Sequence, residues 1–206
     1  MTGTLTRPHV WQPGAGGRPL LLLHGTGGDE HDLLPLREHL APEASVLSVR
    51  GVVQENGMPR FFRRIREGVF DEDDLRARTD ELADFLAVAE AEYGVEGGSE
   101  IAVGFSNGAN IASALLFQRP ATLAGAVLLA AMVPFRDGPP PADLAGKPVA
   151  IVNGRRDPMA TPEHTETLAR QLREAGANVR LITHDGGHQI DPGTLPHIAE
   201  FLRAAE

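Results

Sequence analysis

The stretch Val103-Gly104-Phe105-Ser106-Asn107-Gly108-Ala109-Asn110 is the most informative part of this chain. It carries a G-x-S-x-G pattern, with a glycine two residues before the serine and another two residues after it. Residues 101–103 form a short apolar run typical of a buried strand, and residues 108–116 are small or apolar, as in a helix packed on a sheet. A serine on the turn between such elements sits in strained backbone with its hydroxyl exposed, which is the geometry of a nucleophile elbow. The alternative is that Ser106 only caps the helix after a glycine turn.

Apolar runs alternate with helical patterns along the whole chain, which predicts an α/β fold with a mostly parallel, doubly wound sheet. Strands are predicted near residues 18–23, 45–50, 100–104, 124–130, 148–153 and 178–183, and an outer strand within residues 5–12. Helices are predicted near residues 30–40, 72–92, 107–118, 161–175 and 193–204. Asp29 is the predicted N-cap of the first helix. Residues 1–206 are expected to form one domain, with only a short loop where a cap domain commonly inserts.

Composition limits the classes of partner. The 206 residues carry a formal net charge of -9, which argues against nucleic acid as a partner. No apolar run approaches the length of a membrane span, and residues 1–8 lack the layout of a signal peptide. Without cysteine the chain needs no oxidising compartment, so the cytoplasm is expected. We expect no cofactor and no metal, a small-molecule partner, and a monomer or homodimer.

A glycine-rich loop, His24-Gly25-Thr26-Gly27-Gly28, follows the strand predicted at 18–23. Ligands of open α/β sheets bind at the carboxyl ends of the strands, so this loop should face the site. Acyl transfer needs N–H donors for its oxyanion, and we assign them to the backbone of Thr26 and Asn107. His24 is interpreted as a structural residue of the loop rather than as a base.

Two further polar motifs also follow predicted strands and could complete a catalytic triad. Asp157 lies in Asn153-Gly154-Arg155-Arg156-Asp157, and His188 lies in His184-Asp185-Gly186-Gly187-His188. A serine needs an imidazole to take its proton, and the imidazole needs a carboxylate to fix its tautomer. Asp137 and Asp143 compete with Asp157 but lie within the preceding loop. His184 competes with His188, which we prefer because two glycines give it a mobile approach to Ser106.

These motifs together resemble the small carboxylesterase/phospholipase branch of the α/β-hydrolases, which includes the acyl-protein thioesterases. The resemblance covers nearly the whole chain. Residues 50–75, with Asn56-Gly57-Met58-Pro59-Arg60-Phe61-Phe62-Arg63-Arg64, are similar to bacterial hydrolases induced by hydroquinones. The resemblance to the carboxylesterase/phospholipase branch implies that Ser106 is the nucleophile. It also implies that Asp157 and His188 are its partners and that Thr26 and Asn107 are the oxyanion donors. Acyl-protein thioesterases usually carry Gln where this chain has Asn107, which weakens assignment to that group.

The candidate walls of the substrate pocket are apolar. They are Phe61, Phe62, Phe70, Met132, Phe135, Met159 and Ile190. Arg60, Arg63 and Arg64 could pair with an anionic group of the substrate. Alternatively, this segment is a surface helix with Phe62, Ile65 and Val69 buried and its arginines solvated, and this is the interpretation we favour.

Three functional classes remain open. The first is a serine carboxylesterase acting on short- to medium-chain carboxylic esters. The second keeps the same triad but cleaves a thioester, a lysophospholipid, a lactone or a ring-cleavage product of aromatic breakdown. The third is a non-catalytic ligand-binding protein of hydrolase fold. The apparently intact set of Ser106, Asp157 and His188 counts against the third class.

Overall fold

A seven-stranded sheet forms the centre of the protein in the computed structural model, which describes residues 4–205. Its strands are β1 (His9–Gln12), β2 (Leu20–Leu23), β3 (Val46–Val49), β8 (Ile101–Phe105), β9 (Gly125–Leu129), β10 (Pro148–Gly154) and β11 (Asn178–His184). Across the sheet they lie in the order β1-β3-β2-β8-β9-β10-β11. All neighbours are parallel except the edge strand β1, which runs antiparallel to β3. The predicted fold class is therefore confirmed.

Helices cover both faces of this sheet. They are α1 (Leu36–Leu40), α2 (Glu72–Tyr93), α3 (Asn107–Gln118), α4 (Pro162–Glu174) and α5 (Leu195–Ala204). Side chains of α2, α3 and α4 share one buried cluster, and those of α1 and α5 share another. Alternate residues of a strand point to opposite faces, so Leu21 and Leu23 join the first cluster while Leu20 and Leu22 join the second. This two-sided burial explains the unbroken apolar strands.

The segment between β3 and α2 differs from the favoured prediction of a surface helix. It forms two hairpins, β4 (Val53–Glu55) with β5 (Met58–Arg60), and β6 (Arg64–Arg66) with β7 (Val69–Phe70). Asn56 and Gly57 join the first pair with φ of 52° and 80°. Two consecutive positive φ values suit Asn-Gly, the strongest short-range hairpin signal. Phe62 is buried as predicted, but Ile65 is 70% exposed.

The first helix is shorter than predicted. Residues 30–35 form turns, and α1 begins only at Leu36, after an N-cap at Pro35. Asp29 is therefore not its N-cap. The Asp29 carboxylate instead accepts a hydrogen bond from the backbone N–H of His31 at 2.8 Å, which closes a local turn.

Residues 130–147, between β9 and β10, contain neither helix nor strand, so no cap domain is inserted there. Across residues 4–205 we find no helix that combines the length and the apolar character needed to cross a membrane. Residues 1–3, part of the stretch considered for a signal peptide, and residue 206 lie outside the described residues.

Candidate active site

Ser106 occupies the single-residue turn between β8 and α3. Its backbone has φ 51° and ψ -110°, a conformation that costs a non-glycine residue free energy and that clusters at functional sites. A Cβ on Gly108 would lie 2.0 Å from the carbonyl oxygen of Leu23, and one on Gly104 would lie 2.5 Å from that of Gly108. The two glycines are therefore required by close backbone contact, as the G-x-S-x-G pattern predicts.

The structure brings Ser106, His188 and Asp157 together in one chain of hydrogen bonds. His188 Nε2 lies 2.8 Å from Ser106 Oγ, and His188 Nδ1 lies 2.7 Å from Asp157 Oδ2. A carboxylate only accepts hydrogen bonds, so Nδ1 carries the proton and Nε2 has its lone pair free for the serine hydroxyl. The other carboxylate oxygen of Asp157 accepts from the backbone N–H groups of Met159 and Ala160 at 2.8 and 3.0 Å. The arrangement can deprotonate the serine as it attacks.

The loop that carries His188 is fixed against the loop that carries Asp157. A Cβ on Gly154 would lie 2.4 Å from the carbonyl oxygens of Gly186 and Gly187. The backbone N–H of Arg156 donates to Gly186 at 3.0 Å. Close packing of the two loops therefore requires a glycine at position 154, whereas a Cβ on Gly187 would make only an ordinary contact, with the carbonyl oxygen of Arg156 at 3.7 Å.

His184, the competing histidine, lies outside this chain of hydrogen bonds. It ends β11, and its Nδ1 accepts the backbone N–H of Gly186 at 3.1 Å and lies 3.5 Å from Asp191. It is buried, and within the described residues neither of its ring nitrogens bonds Ser106. Its position is that of a structural residue.

Two residues whose backbone N–H groups have no acceptor within the described chain line the same cavity as the serine. Thr26 follows β2 and Asn107 is the first residue of α3, and both line the cavity beside Ser106. Among the hydrogen bonds of residues 4–205, neither backbone N–H has an acceptor in the protein. The amino end of a helix also carries partial positive charge. Both groups are therefore available to an oxyanion.

His24 connects the glycine-rich loop to the segment that follows β3. It is 1% exposed, its Nδ1 bonds the carbonyl of Gly25 at 2.6 Å, and its Nε2 accepts the backbone N–H of Gly51 at 3.0 Å. Burial lowers the pKa of His24, so the imidazole is kept neutral with the proton on Nδ1. Both ring nitrogens are occupied, which fits the predicted structural role.

The cavity beside the serine has a volume of about 330 Å³. Its apolar walls are Phe70, Phe105, Met132 and Met159, and its polar walls include Arg60, Arg64 and Glu67. Phe61 and Phe62 are fully buried core residues and do not line it, contrary to expectation. Phe135 is also in the core, and Ile190 lines a larger groove of about 780 Å³ between α1 and α5. None of Ser106, Asp157 and His188 lines that groove. The smaller cavity is therefore the candidate active site, because Ser106 and His188 line it.

The three arginines of the hairpin segment have different environments. Arg63 is exposed and pairs with Asp71 at 3.2 Å, away from the cavity. Arg64 donates to Glu55 at 2.9 Å. Arg60 is 3% exposed and is therefore not solvated. Sequence reasoning missed Glu55, whose carboxylate contacts Arg60 and Arg64. The Asn56-Gly57 turn predicts only that Glu55 pairs with Met58 across the hairpin.

Metal ligands need clustered carboxylate or imidazole groups. Over the part of the chain that the structure describes, no group of three or more such side chains is arranged to hold a metal ion.

Comparisons with known proteins find relatives that match nearly the whole chain. A family model described as phospholipase/carboxylesterase matches residues 16–206. The chain is 49% identical over 197 residues to MhqD of Bacillus subtilis (strain 168), a protein assigned as a hydrolase, with 96% of this chain and 98% of the relative covered. The crystal structure of a Bacillus cereus carboxylesterase is 50% identical, with a TM-score of 0.95 and coverage of 98% and 95%. A carboxylesterase from Mesorhizobium loti is 31% identical, with a TM-score of 0.86 and coverage of 92% and 90%.

Proposed function

This chain belongs to the phospholipase/carboxylesterase family, and we propose that it is a serine carboxylesterase that hydrolyses short- to medium-chain carboxylic esters. The observation that carries the proposal is the hydrogen-bonded series from Ser106 through His188 to Asp157. The resemblance to carboxylesterases of known structure supports the choice of an ester as the bond cleaved.

The first half-reaction forms an acyl-enzyme. Ser106 Oγ attacks the ester carbonyl while His188 Nε2 takes its proton, and the imidazolium is stabilised by the Asp157 carboxylate. The carbonyl oxygen becomes an oxyanion and accepts hydrogen bonds from the backbone N–H groups of Thr26 and Asn107. His188 then returns the proton to the alcohol oxygen, the ester C–O bond breaks, and the alcohol leaves.

The second half-reaction releases the acid. Water attacks the acyl-enzyme carbonyl, and His188 takes a proton from that water. The tetrahedral intermediate collapses as Ser106 Oγ regains the proton and leaves, which restores the starting state. Each step uses the side chains of Ser106, His188 and Asp157, the two backbone N–H donors and water.

The cavity favours small substrates. Its volume of about 330 Å³ lies at the lower end of small-molecule sites, and no inserted domain covers it within the described chain. Phe70, Phe105, Met132 and Met159 offer an apolar surface to an acyl or aryl group. These features support short- to medium-chain esters over the long chains of lysophospholipids.

The test is an activity panel together with labelling of the nucleophile. We expect p-nitrophenyl acetate and butyrate to be hydrolysed with a higher kcat/KM than acyl-thioesters or lysophospholipids. A fluorophosphonate should label the peptide that contains Ser106 and no other. Ser106→Ala should reduce turnover by about 10³-fold or more with the fold retained. A higher kcat/KM for acyl-thioesters or lysophospholipids would identify those compounds as the substrate class instead. Absence of both labelling and turnover would favour a non-catalytic binding protein.

A further inference from the structure

The first hairpin and the residue that follows it bond both segments that carry the candidate oxyanion donors. We call residues 51–62 the brace. The backbone N–H of Gly27 donates to the carbonyl of Pro59 at 2.9 Å, beside Thr26. The backbone N–H of Phe61 donates to the side-chain Oδ1 of Asn107 at 2.7 Å. One short segment thus bonds the loop after β2 and the first residue of α3.

Arg60 makes the most specific contact of the brace. Its Nη1 donates to Thr26 Oγ1 at 2.6 Å. Its Nε donates to the carbonyl of Phe62 at 3.1 Å and lies 3.3 Å from the carboxylate of Glu55. A buried guanidinium loses much hydration, so these contacts must compensate for its burial and hold it in one orientation. The threonine hydroxyl is therefore bonded to a rigid group.

The loop needs such a restraint because of its composition. Glycine is more flexible than any other residue, and Thr26 is flanked by Gly25 and by Gly27, whose φ is 84°. An oxyanion donor is effective only when it points to the position of the developing charge before the reaction begins. A bond to the Thr26 side chain restricts χ1, and the neighbouring bond from Gly27 restricts the backbone.

We propose that Arg60 is a positioning residue for this site, which holds the Thr26 N–H in place by its hydrogen bond to Thr26 Oγ1. The inference rests on the proposed function, because it assumes that the Thr26 N–H stabilises the oxyanion of ester hydrolysis. Arg60 itself acts through Thr26 and needs no contact with the substrate.

The sharpest test compares two substitutions at position 26. Thr26→Ser keeps the hydroxyl acceptor, whereas Thr26→Val keeps the shape and the backbone N–H but removes the acceptor. We expect Thr26→Val to lower kcat about ten- to a hundredfold, with KM changed less than about threefold. The loss should not exceed the loss expected when one oxyanion donor is removed completely. Thr26→Ser should stay within about threefold of wild type. Affinity for a trifluoromethyl ketone, whose adduct carries an oxyanion, should fall with kcat.

Arg60→Met should lower kcat as much as Thr26→Val does. The double variant Arg60→Met/Thr26→Val should have a kcat no more than about twofold below that of the slower single variant. Arg63→Met, in the exposed arginine of the same segment, is the matched control and should retain wild-type kinetics. If Arg60→Met does not fold, the serine and valine variants decide the question alone.

Three outcomes would overturn the proposal: equal activity of Thr26→Ser and Thr26→Val, a change in KM alone, or fully additive losses in the double variant. Failure of the proposed function looks different. In that case the wild type would lack esterase activity, or Ser106→Ala would keep it. An active wild type with an inactive Ser106→Ala variant and an unaffected Thr26→Val variant would reject only the role of Arg60.

Discussion

A buried carboxyl pair at the opposite end of the sheet makes stability depend on pH. Glu100 stands immediately before β8 and is 1% exposed, and Glu90 of α2 is 9% exposed. Burial, together with the hydrogen bond and the charge of Glu90, raises the pKa of Glu100 to about 9. The backbone N–H of Gly98 donates to Glu90 Oε1 at 2.8 Å. We predict that Glu100→Gln stabilises the protein at neutral and alkaline pH.

The sign and size follow from proton linkage. The unfolded carboxyl titrates near 4.5, so between pH 4.5 and 9 the folded chain holds one proton more than the unfolded chain. The stabilisation of the protonated form is complete below pH 4.5 and is lost as pH rises to 9. Each pH unit lowers the free energy of unfolding by about 1.36 kcal/mol, or about 4 kcal/mol from pH 5 to 8 at most. Relaxation of the protein around the two carboxyl groups reduces this maximum, and we expect the free energy of unfolding to fall by about 2 kcal/mol from pH 5 to 8.

The assay is urea unfolding of wild type and Glu100→Gln at pH 5, 6, 7 and 8. The difference between the two proteins cancels the titrating groups that do not interact with Glu100, and it should move in favour of the variant by about 2 kcal/mol over this range. Glu96→Gln, an exposed glutamate of the same loop, is the control and should give no trend. A difference for Glu100→Gln that stays constant within about 0.5 kcal/mol would refute the reasoning.

Three further predictions concern the site and its surroundings. His188→Ala should lose ester hydrolysis nearly as completely as removal of the serine, whereas His184→Ala should keep a substantial fraction, and equal losses would leave the base unassigned. Because the Arg64 guanidinium is paired with Glu55, Arg64→Met should change the ratio of kcat/KM for anionic over neutral esters by less than about threefold; a selective tenfold loss for anionic esters would instead identify an anion site. Gly108→Ala should lower thermal stability by about 3 kcal/mol or more, since its Cβ would meet the carbonyl oxygen at the end of β2 at 2.0 Å, and an unshifted melting curve would contradict this.

Much of the fold could be predicted because its signals are local. The buried strands β2, β8 and β10 are continuous apolar runs, and each ends in a polar or glycine-rich motif. Parallel strands bring such motifs to one edge, so the proximity of the residues after β8, β10 and β11 follows from chain order alone. The short α1 could not be predicted because its apolar residues fit turns as well as a helix.

The hairpin segment shows the limit of sequence reasoning. Its arginines and phenylalanines fit a helical pattern, yet the Asn56-Gly57 turn commits the chain to a hairpin. The buried Arg60 guanidinium is bound by Thr26 and Glu55, and the Thr26 hydroxyl lies 34 positions away in sequence. No local pattern encodes such a contact. The same holds for Phe61 and Phe62, whose apolar character fits a cavity wall and a core equally well.

The central sheet also determines how activity responds to heat and denaturant. Ser106, Asp157 and His188 follow the last residues of β8, β10 and β11 directly or within four positions, and the last two loops are bonded to each other. β10 is buried but β11 is the edge strand of the sheet, so the His188 loop is held by its bond to the Asp157 loop as well as by its strand. Opening of this edge should separate His188 from Asp157 while the buried strands remain paired. Turnover on heating or in urea should therefore fall at or before global unfolding, and not after it.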